Sequence, residues 1–434
     1  LAAAVAGGAR AEWLKPDATV ADAQAALRAA LADTAGHAGD RVRLDSLGAA
    51  QLRLGRESDA ARVFAAALAL EPGDPLALAG LGKLALFAGR DAEAESLLAR
   101  AGDAGTARAD LYAARLRRGE WAAAAAMAES VDDAGRAPLL ERLAAIAPST
   151  VRGPDHEGVA VFVRPFPVPL VKVKLDGTVV LMAVDTGAPT TLVDPMTLAA
   201  NGVHPIGGQR TTLWDGTRVA IQNALVPRLE VAGFELTNLP VGVASLHRMS
   251  LDVNPQGAYL AGVLGLDVMR RFSVSINVRR GQLELRPRGT APAYGEDATR
   301  VPFELWGEGD LMVWGSVAGG RRMGLIVASG LPGGVTAPAE VCDELGIKPG
   351  NIGRFTPKGP GVWLAGRPWA QITVPTVTVG PLAFGKLAGW CGGPDATELW
   401  RCGVRRDAML GAATLERRRM TIDWERRQLV FEGY

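Results

Sequence analysis

Cysteine is scarce in this chain, with 3 residues in 434, and histidine and tyrosine are nearly so, with 4 each. The histidines at 37, 156, 204 and 247 stand singly and no Cys-x-x-Cys pair occurs, so ligand spacing for a metal is missing and no metal or other cofactor is expected. A surplus of either charge is also missing. Lys+Arg total 47 against Asp+Glu 46, a net charge of +1, which leaves nothing to neutralise a phosphate backbone and argues against nucleic acid as a partner. No run reaches the roughly 18 apolar residues that a bilayer demands, so no transmembrane segment is expected in the mature chain. Glycine-rich phosphate loops following a strand are absent as well.

Apolar residues, by contrast, make up 48% of the sequence and charged ones 21%, with 53 glycines and 27 prolines for turns, which excludes disorder as the main theme. A length of 434 residues exceeds the roughly 250–300 at which one core stops growing, so several domains are expected. Residues 1–11 open with LAAAVAGG and close on Ala9-Arg10-Ala11, the A-x-A form of a signal-peptidase site. They read as a signal-peptide remnant, which places the mature protein in a periplasm or outside the cell. Cys391 and Cys402, eleven residues apart around Gly392-Gly393-Pro394, have the spacing of a small disulfide loop, with Cys342 left over. Three buried free thiols fit the same three positions equally well.

Residues 12–146 are rich in Ala, Leu, Arg and Glu with apolar positions three and four apart, which predicts consecutive helices. Gly48 and Gly82, Gly55 and Gly89, Ala60 and Ala94, and Phe64 and Leu98 are each 34 residues apart. This periodicity resembles the tetratricopeptide repeat, whose stacked helix pairs imply a protein-binding surface. Catalytic constellations are missing from this half. Residues 147–158 form a Pro/Gly-rich linker. Beyond it the segments turn short and β-branched, and Asp176-Gly177 between LVKVKL and VVLMAV is a hairpin signal.

The segment with the most chemical content is LMAVDTGAPTTLVDPMTLAANGV, in which an apolar strand delivers Asp185 to a tight turn with Thr186 and Gly187. About eighty residues later come Val263, Leu264 and Gly265, then Arg270-Arg271-Phe272 and a closing hairpin. Together these resemble the aspartic peptidases, specifically the bacterial retropepsin-like branch. The resemblance implies a β-rich lobe with its acid at Asp185, and a second lobe facing it. MGLIVASGLPGGVTAPAEV aligns with the first motif at a constant offset of 143, setting Ala328 at the place of Asp185, Ser329 at that of Thr186 and Gly330 at that of Gly187. Met409, Leu410 and Gly411 repeat the apolar-apolar-Gly element. The expected organisation is therefore multidomain: all-α repeats (12–146), an all-β first lobe (159–288), a linker (289–300) and a degenerate second lobe (301–434).

In the family two carboxylates share a water and a proton, since two such groups a few ångströms apart cannot both ionise. Here the second is a methyl, which predicts an Asp185 without like-charge repulsion and without a partner acid. A flap is expected at Thr211–Asn223, with Trp214 beside an Asp215-Gly216 turn and facing either the substrate groove or the lobe's own core; Gly359–Ala370 takes the corresponding place in lobe two. Ser245, His247 and Asp252 are near one another in sequence, but nothing places them on a strained elbow. Three readings stay open: an exported aspartic endopeptidase acting on polypeptides, an inactive bilobed pseudo-peptidase that binds them, and an envelope scaffold with two docking surfaces.

Overall fold

A computed structural model describes residues 19–37, 39–212, 218–253, 257, 259–290, 292–348, 352–353, 369–392, 399–416 and 418–433. The helical N-terminal region and the β-rich C-terminal region expected from composition are both present. The chain divides into two units: one of Leu1–Ala134 with Leu305–Gly309 and Pro394–Arg406, the other of Gly135–Glu304, Asp310–Gly393 and Asp407–Tyr434.

The first unit is built from helices α1 (Val20–Thr34), α2 (Arg41–Arg53), α3 (Glu57–Leu70), α4 (Pro75–Phe87), α5 (Asp91–Ala101) and α6 (Ala107–Arg118). Three of the starts, those of α1, α2 and α4, follow from side-chain caps: Thr19 accepts from the Asp22 amide, Asp40 from that of Arg43, and Asp74 from those of Leu76 and Ala77 ahead of a proline first turn. The 34-residue period is visible in the packing. Gly55 and Gly89 both turn the chain at positive φ, +66° and +64°, between the two helices of a pair. A β-carbon on Gly48 would lie 2.6 Å from the Phe64 ring, and one on Gly82 would lie 2.6 Å from Leu98, so the same close helix approach occurs in both pairs. Ala60 and Ala94, one period apart, are fully buried.

The helix Ala137–Ala145 belongs to the second unit although it lies inside the helical stretch drawn from sequence. Arg136 just before it hydrogen-bonds Gln209 of a β-strand, and Gly135 packs on the Gly208 carbonyl. The remainder of this unit is mostly β-sheet with a few short helices. In the first lobe the hairpin Leu170–Leu175/Thr178–Val184 turns at Asp176 and Gly177, φ +47° and +90°, the left-handed pair that an Asp-Gly turn supplies. Thr178–Val184 then runs parallel to Leu260–Leu264, which pairs antiparallel with Leu192–Val193. The second lobe repeats this order: Asp310–Val317 antiparallel to Met323–Val327, that strand parallel to Ala408–Leu410, and Ala408–Leu410 antiparallel to Val335–Ala337.

The lobes join through one sheet. Thr299–Pro302, Gln428–Glu432, Arg419–Asp423, Phe272–Asn277, Gln282–Pro287 and Gly158–Arg164 lie side by side in that order. At its middle Val274 pairs with Ile422 and Ile276 with Met420, with the Ser275 and Thr421 hydroxyls 2.8 Å apart between them. Because the closing hairpins correspond at an offset of 146, exchanging the lobes maps this pairing onto itself. The fold thus has a local two-fold relation that positions the two Asp/Ala turns against each other.

Candidate active site

Asp185 follows the parallel strand Thr178–Val184 and is tied to the neighbouring one, its amide donating to the Leu264 carbonyl at 3.1 Å. Ala328 is held in the same way by Leu410 at 2.8 Å. These bonds explain why an apolar-apolar-Gly element must accompany each turn: Gly265 and Gly411 are where the second strand passes under the first loop. A β-carbon on Gly265 would meet the Ala188 carbonyl at 2.8 Å, and one on Gly411 the Leu331 carbonyl at 2.6 Å.

The two turns interlock. Thr186 donates from Oγ1 to the Val327 carbonyl at 2.7 Å and accepts there from the Ser329 amide at 3.0 Å. Ser329 reciprocates, donating from Oγ to the Val184 carbonyl at 2.9 Å and accepting from the Thr186 amide at 3.0 Å. Both hydroxyl residues are buried, so these four bonds form out of water, where leaving any of them unmade is costly.

At the centre of this grip the half-buried Asp185 accepts on Oδ1 from the amides of Gly187 at 2.7 Å and Gly330 at 2.9 Å. Gly330 has to be glycine: a β-carbon there would lie 2.3 Å from the Asp185 Cγ. The counterpart, Gly187, would place one 2.6 Å from the Ala328 methyl. Burial pushes the Asp185 carboxyl above the ordinary aspartate range, and the two amides oppose that shift by stabilising the anion. No acidic neighbour among the described residues contributes. The like-charge repulsion of a carboxylate dyad is therefore missing, as the alanine predicts, but desolvation still moves the group upward.

Two further acids brace this loop and were not singled out from sequence. Asp267 accepts from the Thr191 amide at 2.9 Å, the Thr191 hydroxyl at 2.6 Å and the Val268 amide at 2.8 Å, while the same hydroxyl accepts from Gly265 at 3.0 Å. Asp194 caps the helix Pro195–Ala200 through Met196 and takes bonds from the Leu246 amide and the Tyr259 hydroxyl. Burial and that carboxylate push the Tyr259 phenol up to about 12. At the lobe-two offsets their places are held by Ala413 and Ala337, and that of Thr191 by Gly334. There Gly411 donates to the Gly334 carbonyl at 2.9 Å in place of the threonine hydroxyl, while Ala412 donates to Leu331 as Leu266 does to Ala188 in the first lobe.

The structure therefore brings together Asp185, Thr186, Gly187, Ala328, Ser329 and Gly330, backed by Val263–Gly265 and Met409–Gly411. Trp214, Asp215 and Gly216, and the second-lobe flap as far as residue 368, lie outside the described residues. His247 stacks on Tyr259, ring centres 6.2 Å apart. Among the described residues no cluster of three or more His, Cys, Asp or Glu is arranged to hold a metal ion. Of the two readings of the cysteines, the structure shows no disulfide between Cys391 and Cys402. Cys391 ends a strand whose parallel neighbour presents Ala337 beside it, and the buried Cys342 thiol donates to that Ala337 carbonyl at 3.8 Å.

That geometry has a counterpart among known proteins. Residues 171–268 match the family model of aspartyl proteases. The matched span runs from the Asp176-Gly177 hairpin through the Asp185 turn to Gly265 and Asp267. Among solved structures, the basic 7S globulin from soybean aligns over 64% of this chain and 95% of its own, at 11% identity and a TM-score of 0.37, a likeness too distant to carry an argument. No curated protein matches the chain.

Proposed function

We propose that the chain is an exported, retropepsin-like aspartic endopeptidase in which Asp185 activates the attacking water, and in which the helical unit, read as tetratricopeptide-like repeats, is a protein-binding module. The observation that carries this reading is the Asp185 carboxyl fixed by two main-chain amides at the centre of the inter-lobe grip. Both amides fall on Oδ1, which leaves Oδ2 as the oxygen with basicity to spare toward a water. Deprotonated Asp185 would take a proton from that water as it attacks the scissile carbonyl, and would return it to the leaving amine. One group then serves as base and acid in turn, without a neighbour to hold the second proton, and such a loss typically slows a reaction by ~10²–10⁴-fold. Export is supported by the Ala9-Arg10-Ala11 pattern alone.

Ala328 favours a second reading, a pseudo-peptidase whose cleft binds an extended polypeptide by strand addition without cutting it. The two are separated by digesting a peptide library with wild type and with Asp185→Ala. The peptidase reading expects cleavage that disappears in the variant; cleavage of equal rate in both overturns it.

A further inference from the structure

Two short segments that follow the first lobe in sequence belong to the helical unit: Leu305–Gly309 and Pro394–Arg406, the latter described from 399. The second closes a loop on itself, the Arg406 amide donating to the Leu399 carbonyl at 3.0 Å. Leu399 and Trp400 are buried in one apolar cluster with Ala23 of α1, and Leu54 packs against it. The guanidinium of Arg53, the last residue of α2, lies 4.4 Å from the centre of the Trp400 ring.

Lys83 of α4 is the most telling contact. It is only 1% exposed, a position that an ammonium tolerates only when its charge and protons are satisfied. Asp110 of α6 supplies the countercharge at 2.8 Å, and a second proton is donated to the main-chain carbonyl of Cys402 at 3.1 Å. Gly403 then turns at φ +77°, with Lys83 Cε 3.7 Å from where its β-carbon would be. On the other side Trp306 donates from Nε1 to the Val404 carbonyl at 2.8 Å, and the guanidiniums of Arg401 and Arg406 lie 5.0 and 5.1 Å from its ring. Arg53 and Lys83 come from α2 and α4, Ala23 from α1, and Asp110 of α6 braces Lys83, so the face that meets the turn is made by α1, α2 and α4 with α6 behind Lys83.

We propose that this face is a peptide-binding groove whose resident ligand is the chain's own Leu399–Val404 turn. The chemistry it reads is an apolar residue followed by tryptophan, with a main-chain carbonyl two residues on presented to Lys83. The array is thus engaged in cis and opens to an outside polypeptide only when the turn leaves. Six residues beyond Val404 is Leu410, whose carbonyl holds the Ala328 amide, so the groove grips the chain just ahead of the second lobe's central loop. This rests on the reading of the helices as a binding module and is independent of peptidase chemistry.

The test uses the full-length chain and a labelled peptide of residues 399–406, LWRCGVRR, followed by fluorescence anisotropy. Wild type should bind it weakly because the groove is filled. Trp400→Ala, which vacates the groove, should bind it at least about tenfold more tightly, and adding Lys83→Met should reverse that gain, since a hydrogen bond from a charged donor is worth about a factor of ten or more. Equal binding by wild type and Trp400→Ala overturns the proposal. If Trp400→Ala does not fold, amide exchange of Lys83→Met decides: residues 400–404 should exchange about tenfold faster while the Asp185 loop is unchanged, and unaltered exchange at 400–404 overturns the proposal. Faster exchange without peptide binding by any variant would leave the clasp but remove the binding-module reading on which the proposal rests, and would likewise overturn it.

Discussion

In the first lobe the loop after Val184 carries a carboxylate, and two more carboxylates, Asp194 and Asp267, tie that loop to the strands and helices around it. In the second lobe the loop after Val327 keeps the same strand pairing and the same hydroxyl, yet alanine stands at all three acidic positions: 328, 337 and 413. The shared part is what the lobe interface requires. Thr186 and Ser329 hold each other's backbone, and Gly187 and Gly330 allow the turns to approach, so neither lobe can lose these without spoiling the other. The unshared part is what chemistry requires, and it is confined to one lobe. A scaffold relation and a catalytic relation can therefore diverge within one fold, since the first depends on main-chain geometry and the second on a few side chains.

That contrast is breakable at specific residues. The largest effect is expected from Gly330→Ala, whose added methyl collides with the Asp185 carboxyl carbon; displacement of that group by about an ångström should cost 10²-fold or more in peptide hydrolysis. Gly187→Ala strikes the Ala328 methyl instead, so pairing it with Ala328→Gly should recover part of its loss, whereas no second-lobe trimming should rescue Gly330→Ala. Kinetics of the three variants checks this.

Next in size are Thr186→Val and Ser329→Ala. Each removes one hydroxyl that donates one buried bond and accepts another, so urea unfolding should show a loss of roughly 2–4 kcal/mol for either, similar in the two lobes. A large loss in one and none in the other would contradict an interface shared evenly.

The smallest effect concerns charge. A carboxyl whose folded-state pKa is raised contributes stability that is fully present below the ordinary aspartate value of 3.8 and is lost as pH rises through the folded pKa. Asp185→Asn avoids that loss while still accepting both amides, so it should melt higher than wild type at pH 7. The gap should close as pH falls below 3.8. Melting temperatures across pH 3–7 check it, and an asparagine variant less stable at pH 7 would contradict a desolvated acid.

Much of this was legible in the sequence because it is local or repeats at fixed offsets. The Asp185-Thr186-Gly187 turn, its damaged copy at 328–330, the Asp176-Gly177 hairpin and the 34-residue glycine spacing all depend on neighbours in the chain. The bracing acids are another matter: Asp267 meets Thr191 and Asp194 meets Tyr259 only after strands far apart in the chain pair. A signal was present all the same, since the offset of 143 that sets Asp185 against Ala328 also sets Asp194 against Ala337, and the offset of 146 that sets Gly265 against Gly411 sets Asp267 against Ala413. The state of the cysteines, left open by spacing, depends on a parallel strand contact that sets Cys391 beside Ala337, which the sequence does not reveal. The segments around Trp306 and Trp400 read as second-lobe sequence, and only tertiary contacts with the helices reassign them.

The most direct test of a one-acid centre is the rate of peptide-library hydrolysis from pH 3 to 7 by wild type and by Ala328→Asp, with Asp185→Ala as the blank. If Asp185 works alone for want of a partner, wild type should cleave slowly above the blank and Ala328→Asp should cleave faster, with an acid optimum from two carboxylates sharing one proton. Wild-type cleavage no different from that of Asp185→Ala, together with no gain in Ala328→Asp, would contradict the account.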